Sequence, residues 1–177
     1  MKKALGIILY HPTADDLQKL VMYQKIFDRV IVYDNSEDNS SYENVLKELL
    51  NLNISIYLYT ASNDGICKAI NKMIYVCSQE NIEFLCTMDQ DSIFREEDIR
   101  KMLDFVNYNV MDNVGILSPN IVYSHVDKKS IIKNDISDVN WVITSGSFIN
   151  ISEINKKIFG MMKTILLIDA IWIFVTK

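Results

Sequence analysis

Glycine and proline are scarce in this chain, five and two among 177 residues. Its loops must therefore turn mainly on Asn, Asp and Ser, whose short side chains bond their own backbone. No Gly-x-Gly-x-x-Gly follows the first apolar run and no Gly-Lys-Ser/Thr occurs anywhere, which excludes the ordinary dinucleotide site and the P-loop. The three cysteines, Cys67, Cys77 and Cys86, form no Cys-x-x-Cys pair. Structural zinc is thus not indicated, and an odd number of thiols in a helix-and-strand pattern points to a reducing, cytoplasmic setting. Positive charge is short as well: 18 Lys and Arg against 23 Asp and Glu leave a net charge of −5, which argues against nucleic acid as the main partner. Acidic sites that need a cation remain open.

Long apolar runs are also missing near the start. Met1-Lys2-Lys3 leads into a short apolar segment that Tyr10-His11-Pro12 interrupts, with no small-residue cleavage site and too few apolar residues to span a bilayer. The tail from Ile158 to Val175 approaches spanning length, but Lys163 and Asp169 lie inside it, which favours a core or interfacial segment.

What the chain does have is 49% hydrophobic and 23% charged residues, the composition of one globular domain covering residues 1–177 with a real core. Short apolar runs alternate with segments of helical period, the signature of β-α units around a parallel sheet. Ala4–Tyr10 reads as a first strand. Thr13-Ala14-Asp15-Asp16 is a capping box, after which Leu17, Leu20, Val21 and Gln24 follow at helical spacing in a helix ending near Phe27, only the glutamine being out of place. Arg29–Asp34 is a second strand and Ser40–Glu43 opens a second helix. Ile54–Tyr59 is a third strand, apolar on both faces and so expected to be buried on both. Ile66, Ala69, Ile70, Met73, Ile74 and Cys77 form one stripe of a third helix, and Phe84–Met88 is a fourth strand ending in Asp89-Gln90-Asp91. A helix around Glu96–Asn107, a strand at Val114–Leu117 and a strand at Trp141–Thr144 closing on Ser145-Gly146-Ser147 complete the pattern.

In an open parallel sheet, ligands bind beyond the carboxyl ends of the strands. The residues there are Tyr10-His11, Asp34-Asn35-Ser36, Asn63-Asp64-Gly65, Asp89-Gln90-Asp91 and Thr144-Ser145-Gly146. With no glycine-rich loop to cradle phosphate, a diphosphate needs a metal. Two carboxylates one residue apart, Asp89 and Asp91, can reach the same hard cation and leave sites for phosphate oxygens; the plainer reading is a solvated acidic turn. Asp34 is either an acceptor for a base or ribose or a turn cap. Asn63-Asp64-Gly65 is either an N-cap with a permissive glycine or a phosphate contact through free N–H groups. His11, before Pro12, is a donor contact or a surface residue rather than a base, and His125 has no evident partner.

Taken in order, Leu9–Pro12, Val32–Ser36, Asn63–Ile66 with Ala69-Ile70-Asn71, Thr87–Ser92, Gly115–Pro119 and Thr144–Ser147 resemble family 2 glycosyltransferases of the rhamnosyltransferase type. The resemblance covers nearly the whole chain, and its most specific parts are Asp-Gln-Asp-Ser after an apolar strand and the Thr-Ser-Gly segment. It implies a GT-A fold, an α/β Rossmann-like sandwich with a mostly parallel sheet. It also implies a cytoplasmic inverting enzyme of cell-surface polysaccharide synthesis that uses a nucleoside-diphosphate sugar, dTDP-rhamnose or a UDP-sugar, with Mg²⁺ or Mn²⁺. The acceptor it implies is a glycan or lipid-linked saccharide. On the matching positions, Tyr10, His11, Asn63, Asp64 and Gly65 contact the donor, Asp34 lies near the base, and Asp89 lies near the ribose or metal. Asp91 lies on the metal, and Thr144, Ser145 and Gly146 lie near the sugar and acceptor.

The family's catalytic base matches Asp169, through Gly160–Lys163 followed by Leu167-Ile168-Asp169. The acidic residues expected three and five positions further on are here Trp172 and Phe174, and the family pattern runs on past Lys177. The expectation is therefore a C-terminally shortened pattern. A donor-binding remnant with slow or absent transfer stands as the alternative to an active enzyme, and nucleotidyl transfer on a similar sheet as a third reading. The apolar tail, uncovered, is expected to favour homo-oligomers or peripheral contact at the inner face of the membrane.

Overall fold

In the computed structural model, which describes residues 1–37, 42–54, 56–92, 94–109, 111–119 and 142–160, the first apolar run becomes the middle of a sheet. Strand β1 (Lys3–Leu9) is buried along almost its whole length because it pairs in parallel with β2 (Arg29–Asp34) on one side and β4 (Phe84–Asp89) on the other. A strand covered on both faces reads as a continuous apolar run. Beyond β2 lies β3 (Ile56–Tyr59), and beyond β4 lie β6 (Phe148–Asn150) and β5 (Ile116–Leu117), giving the order β3-β2-β1-β4-β6-β5. Five strands run in one direction, and β6 alone is reversed, antiparallel to both β4 and β5.

The two-residue side-chain period of each strand sorts the core into two layers. Leu5, Ile7 and Leu9 of β1 and Phe84, Cys86 and Met88 of β4 pack with Leu17, Leu20, Val45, Leu49, Ile99 and Leu103. These come from α1 (Ala14–Gln18), α2 (Leu20–Gln24), α3 (Tyr42–Asn51) and α5 (Glu96–Tyr108). Ala4 and Leu85 face the opposite layer with Ala69, Ile70, Met73 and Cys77 of α4 (Gly65–Gln79) and Ile151 of α6 (Ile151–Gly160). The chain steps outward from β1 to β3 with its helices on one face, then returns past β1 to β4 with α4 on the other. Right-handed crossovers require that change of face when the direction reverses. The strand order reverses between β1 and β4, and open sheets of this kind take ligands beyond the carboxyl ends of the strands near such a reversal.

Several sequence expectations change here. The first helix is interrupted at Lys19 and ends at Gln24 rather than near Phe27. The misplaced Gln24 donates its side-chain N–H to the Leu52 carbonyl, which satisfies it on an apolar face. β3 is an edge strand packed partly on both faces, Tyr57 on one layer and Ile56 and Leu58 on the other, and none of its residues reaches the full burial expected. Ile66 is 49% exposed, outside the buried stripe of α4. The strand placed before Ser145 is not there: the described part, 142–147, is turn and irregular backbone, and pairing begins at Phe148. The strand at Val114–Leu117 contracts to Ile116–Leu117. α6 was not foreseen. His125, Trp141, Asp169 and the tail beyond Gly160 lie outside the described residues.

Candidate functional site

The register sets the heights of the strand ends. Leu9 of β1 lies beside Asp34 of β2, and Ile8 lies beside Asp89 of β4. Because β6 is antiparallel to β4, with Cys86 opposite Phe148, the segment preceding β6 arrives at the same end. Thr144-Ser145-Gly146 therefore meets the acidic triplet although no strand leads into it. Gly146 donates its N–H to the Thr87 carbonyl at 2.6 Å, and the Thr87 hydroxyl donates to the Thr144 carbonyl. Gly146 holds φ +80°, and a Cβ there would run into the Phe94 ring, so both conformation and space call for glycine.

At the end of β4 the chain turns with Ser92 N–H on the Asp89 carbonyl at 3.1 Å. The Asp89 N–H donates to Ser145 Oγ at 3.1 Å, and that hydroxyl donates to Ser92 Oγ at 2.7 Å. Burial, reinforced by the neighbouring charge of Asp91, raises the Asp89 carboxyl above its ordinary value. Among the described residues neither Asp89 nor Asp91 joins an ion pair, and no third His, Cys, Asp or Glu clusters with them. Two hard oxygen donors repelling one another at a strand end are chemically suited to a hard divalent cation whose remaining sites a diphosphate fills.

On the β1 side, His11 takes φ +45°, a left-handed conformation that His tolerates better than most residues. Its N–H donates to Ser36 Oγ at 2.7 Å. Tyr10 donates its hydroxyl to Glu37 at 2.9 Å, its ring meets the imidazole edge-on at 4.3 Å, and His11 Nε2 lies 3.6 Å from the same carboxylate. Asp34, 1% exposed, accepts from the Ser36 N–H at 3.0 Å and the Ser36 hydroxyl at 2.6 Å on one oxygen, and from the Tyr57 hydroxyl at 2.8 Å on the other. That is the turn-cap geometry, with the carboxylate facing its own loop. The sequence pattern places Ser36 at this strand end but gives neither its bonds to Asp34 nor the contact from Tyr57. An Asp two residues before a Ser was the available signal for the first.

Asn35 ties this loop to the next. Its side-chain N–H donates to Asn63 Oδ1 and its oxygen accepts the Asp64 N–H, each at 2.9 Å. Asp64 precedes α4 but makes no side-chain cap bond. Lys68 at 2.9 Å, with help from Ser62 and Tyr33, holds its carboxyl at about 2 against the effect of burial. Gly65 follows at φ +78° with open space where a Cβ would stand. The strand-end residues thus form one rim, linked from Asp64 through Asn35 to β2, from Ser36 to His11, and from Asp89 to Ser145. Asp169 lies outside the described residues.

A family model described as glycosyl transferase family 2 matches residues 13–168. The fold resembles that of S. aureus TarS 1-349, at 14% identity and TM-score 0.56, over 89% of this chain and 49% of that one. It also resembles a cytidylyltransferase from Leptospira borgpetersenii serovar Hardjo-bovis, at 14% identity and TM-score 0.55, over 88% of this chain and 63% of that one. The chain therefore spans half to somewhat under two thirds of these structures, and at such identity the likeness is one of fold. No curated protein matches the sequence.

Proposed function

We propose, from the premise that the chain belongs to glycosyl transferase family 2, that its strand-end rim binds a nucleoside-diphosphate sugar with a divalent cation on Asp89 and Asp91. The observation that carries this reading is the pair itself. Two carboxylates stand where β4 leaves the sheet, one of them shifted upward by burial and by its neighbour, at the switch point where such sheets take ligands. Mg²⁺ or Mn²⁺ bound there supplies charge stabilisation for the diphosphate as it leaves. The chain's own residues bind and orient. Asn35, through Asn63 and Asp64, fixes the loop before α4, and Asp34 fixes Ser36, which in turn sets the His11 backbone. Tyr10 and His11 present ring surface beside the crevice, and Thr144-Ser145-Gly146 borders it opposite.

In the transfer, an acceptor hydroxyl forms the new bond to the anomeric carbon while the bond from that carbon to the diphosphate oxygen breaks, inverting the centre. The proton of the hydroxyl passes to a carboxylate base, for which the family resemblance offers Asp169. The donor preference proposed is dTDP-rhamnose over UDP-glucose, with a glycan or lipid-linked saccharide as acceptor.

Calorimetry with dTDP and UDP, in Mn²⁺ and in EDTA, tests the site. Binding that requires Mn²⁺ and is lost in Asp91→Ala is the expected result, and equal binding in EDTA sinks the metal role. UDP-hexoses displacing labelled nucleotide far better than dTDP-rhamnose would overturn the donor preference. Release of pyrophosphate from CTP in the presence of a sugar phosphate, without transfer from any nucleotide sugar, would replace glycosyl by nucleotidyl transfer.

A further inference from the structure

Between the two carboxylates in sequence stands a half-buried residue whose side chain bonds the end of β1 and the first turn of α1. Gln90 Oε1 accepts the Tyr10 N–H at 2.7 Å, its Nε2 donates to Asp16 Oδ2 at 2.9 Å, and its carbonyl accepts from Lys19 Nζ at 3.3 Å. Lys19 also pairs with Asp16 at 3.0 Å. Asp16 is fixed in turn by the Thr13 N–H and hydroxyl, at 3.0 and 2.7 Å. One side chain thereby joins the end of β1, the first turn of α1 and the turn at the end of β4. From the opposite side the same turn is held by Ser145, through the Asp89 N–H and the Ser92 hydroxyl.

From this geometry we infer that Gln90 is a positioning residue for the Asp89–Asp91 pair, and that Asp16 of α1 and Lys19 at the end of that helix are the anchor it works through. The inference rests on the cation reading of that pair. The amide suits this place by its chemistry: its oxygen accepts from a backbone N–H while its NH2 donates to a carboxylate. A Glu keeps the first bond and turns the second into repulsion between two carboxylates. Held from both flanks, the turn presents its two acidic side chains without reorganising when a cation arrives, as supporting residues around metal ligands do.

The test uses the full chain, with Mn²⁺-dependent UDP binding followed by calorimetry and Mn²⁺ binding followed by electron paramagnetic resonance. Gln90→Glu is expected to weaken both by roughly ten- to hundredfold, the range found for residues that orient metal ligands. Asp16→Asn alone still accepts from the Gln90 amide and is expected to cost far less. Combining Asp16→Asn with Gln90→Glu removes the repulsion between two carboxylates and is expected to restore part of the lost affinity, while the urea midpoints of the three variants stay close, as they would not if Gln90 acted only on the fold. Wild-type affinity in Gln90→Glu, beside lost binding in Asp91→Ala, overturns the positioning role while leaving the cation reading intact. A double variant as weak as Gln90→Glu overturns it too. No manganese dependence in the wild type overturns the cation reading and this inference with it. If Gln90→Glu does not fold, Gln90→Met, similar in size and without either bond, is judged by the same loss or retention of affinity.

Discussion

At the scale of single residues, the sharpest constraint is Gly146. Its φ of +80° and the Phe94 ring against the position of a Cβ together mean that Gly146→Ala must move the ring or the backbone, at a cost of about 1–3 kcal/mol. Urea denaturation reads this directly, and a variant as stable as the wild type would show that the turn relaxes freely. Asp16 is the second case. Partial burial pushes its carboxyl up, but hydrogen bonds from the Thr13 N–H and hydroxyl, Lys19 and Gln90 outweigh this and hold it at about 2, below the ordinary 3.8. A group depressed in the folded state adds stability that is complete above its unfolded value and fades as pH falls through the folded one. The advantage of wild type over Asp16→Asn should therefore be constant above about pH 4 and shrink between about pH 4 and pH 2. Parallel urea midpoints for the two proteins across that interval would exclude the linkage.

At the scale of elements, what was legible in the sequence depended on whether local pattern and tertiary place agreed. The capping box at Thr13–Asp16 formed as read, because its bonds are local. The first, second and fourth strands and α4 and α5 emerged within a few residues of the pattern, because their apolar periods are long and both faces of the central strands are covered. β3 packs on both layers as its apolar run implies, but only partly, because the run does not say that the strand lies at the edge of the sheet. The strand before β6 was misplaced by reading Trp141–Thr144 as extended. Those residues that are described go instead into a turn pinned to Thr87, and pairing starts only after Ser147. α6 had a signal that was passed over: Asn150 accepts from the Glu153 N–H at 3.3 Å, and Asn-x-x-Glu is a helix-start pattern. The place of Asp89-Gln90-Asp91 at a strand end was legible from the apolar run before it. The bonds from Gln90 to α1, which join positions far apart in the chain, were not. The elements also divide the thiols. Cys77 on the inner face of α4 is raised to about 12 by burial, Cys86 within β4 is raised further, and Cys67 in the first turn of α4 is half-buried. Since the thiolate is what reacts, a native Ellman titration should give one fast thiol and two that react only on unfolding. Three fast thiols would mean that α4 opens readily from the sheet.

At the scale of the whole molecule, the candidate site and the core share the same strands. β1 and β4 have a partner on each side, whereas β3 and β5 have one. Opening either central strand breaks two ladders and both apolar layers, so their amides should exchange only by near-global unfolding, while edge amides escape through smaller openings. The loops that carry Tyr10, His11 and the Asp89–Asp91 turn hang directly from those two strands. A ligand bridging them therefore binds a rim already fixed by its own hydrogen bonds, and the added protection should be confined to that rim rather than to the strands beneath it. Hydrogen exchange with and without Mn²⁺ and UDP follows from this arrangement. Protection in β1 and β4 should exceed that in β3 and β5 before ligand is added. On addition, the gain should fall on residues 10–13 and 90–92. A gain centred instead on β5 or α5 would place the ligand away from the switch point and separate the stable centre of the sheet from the site.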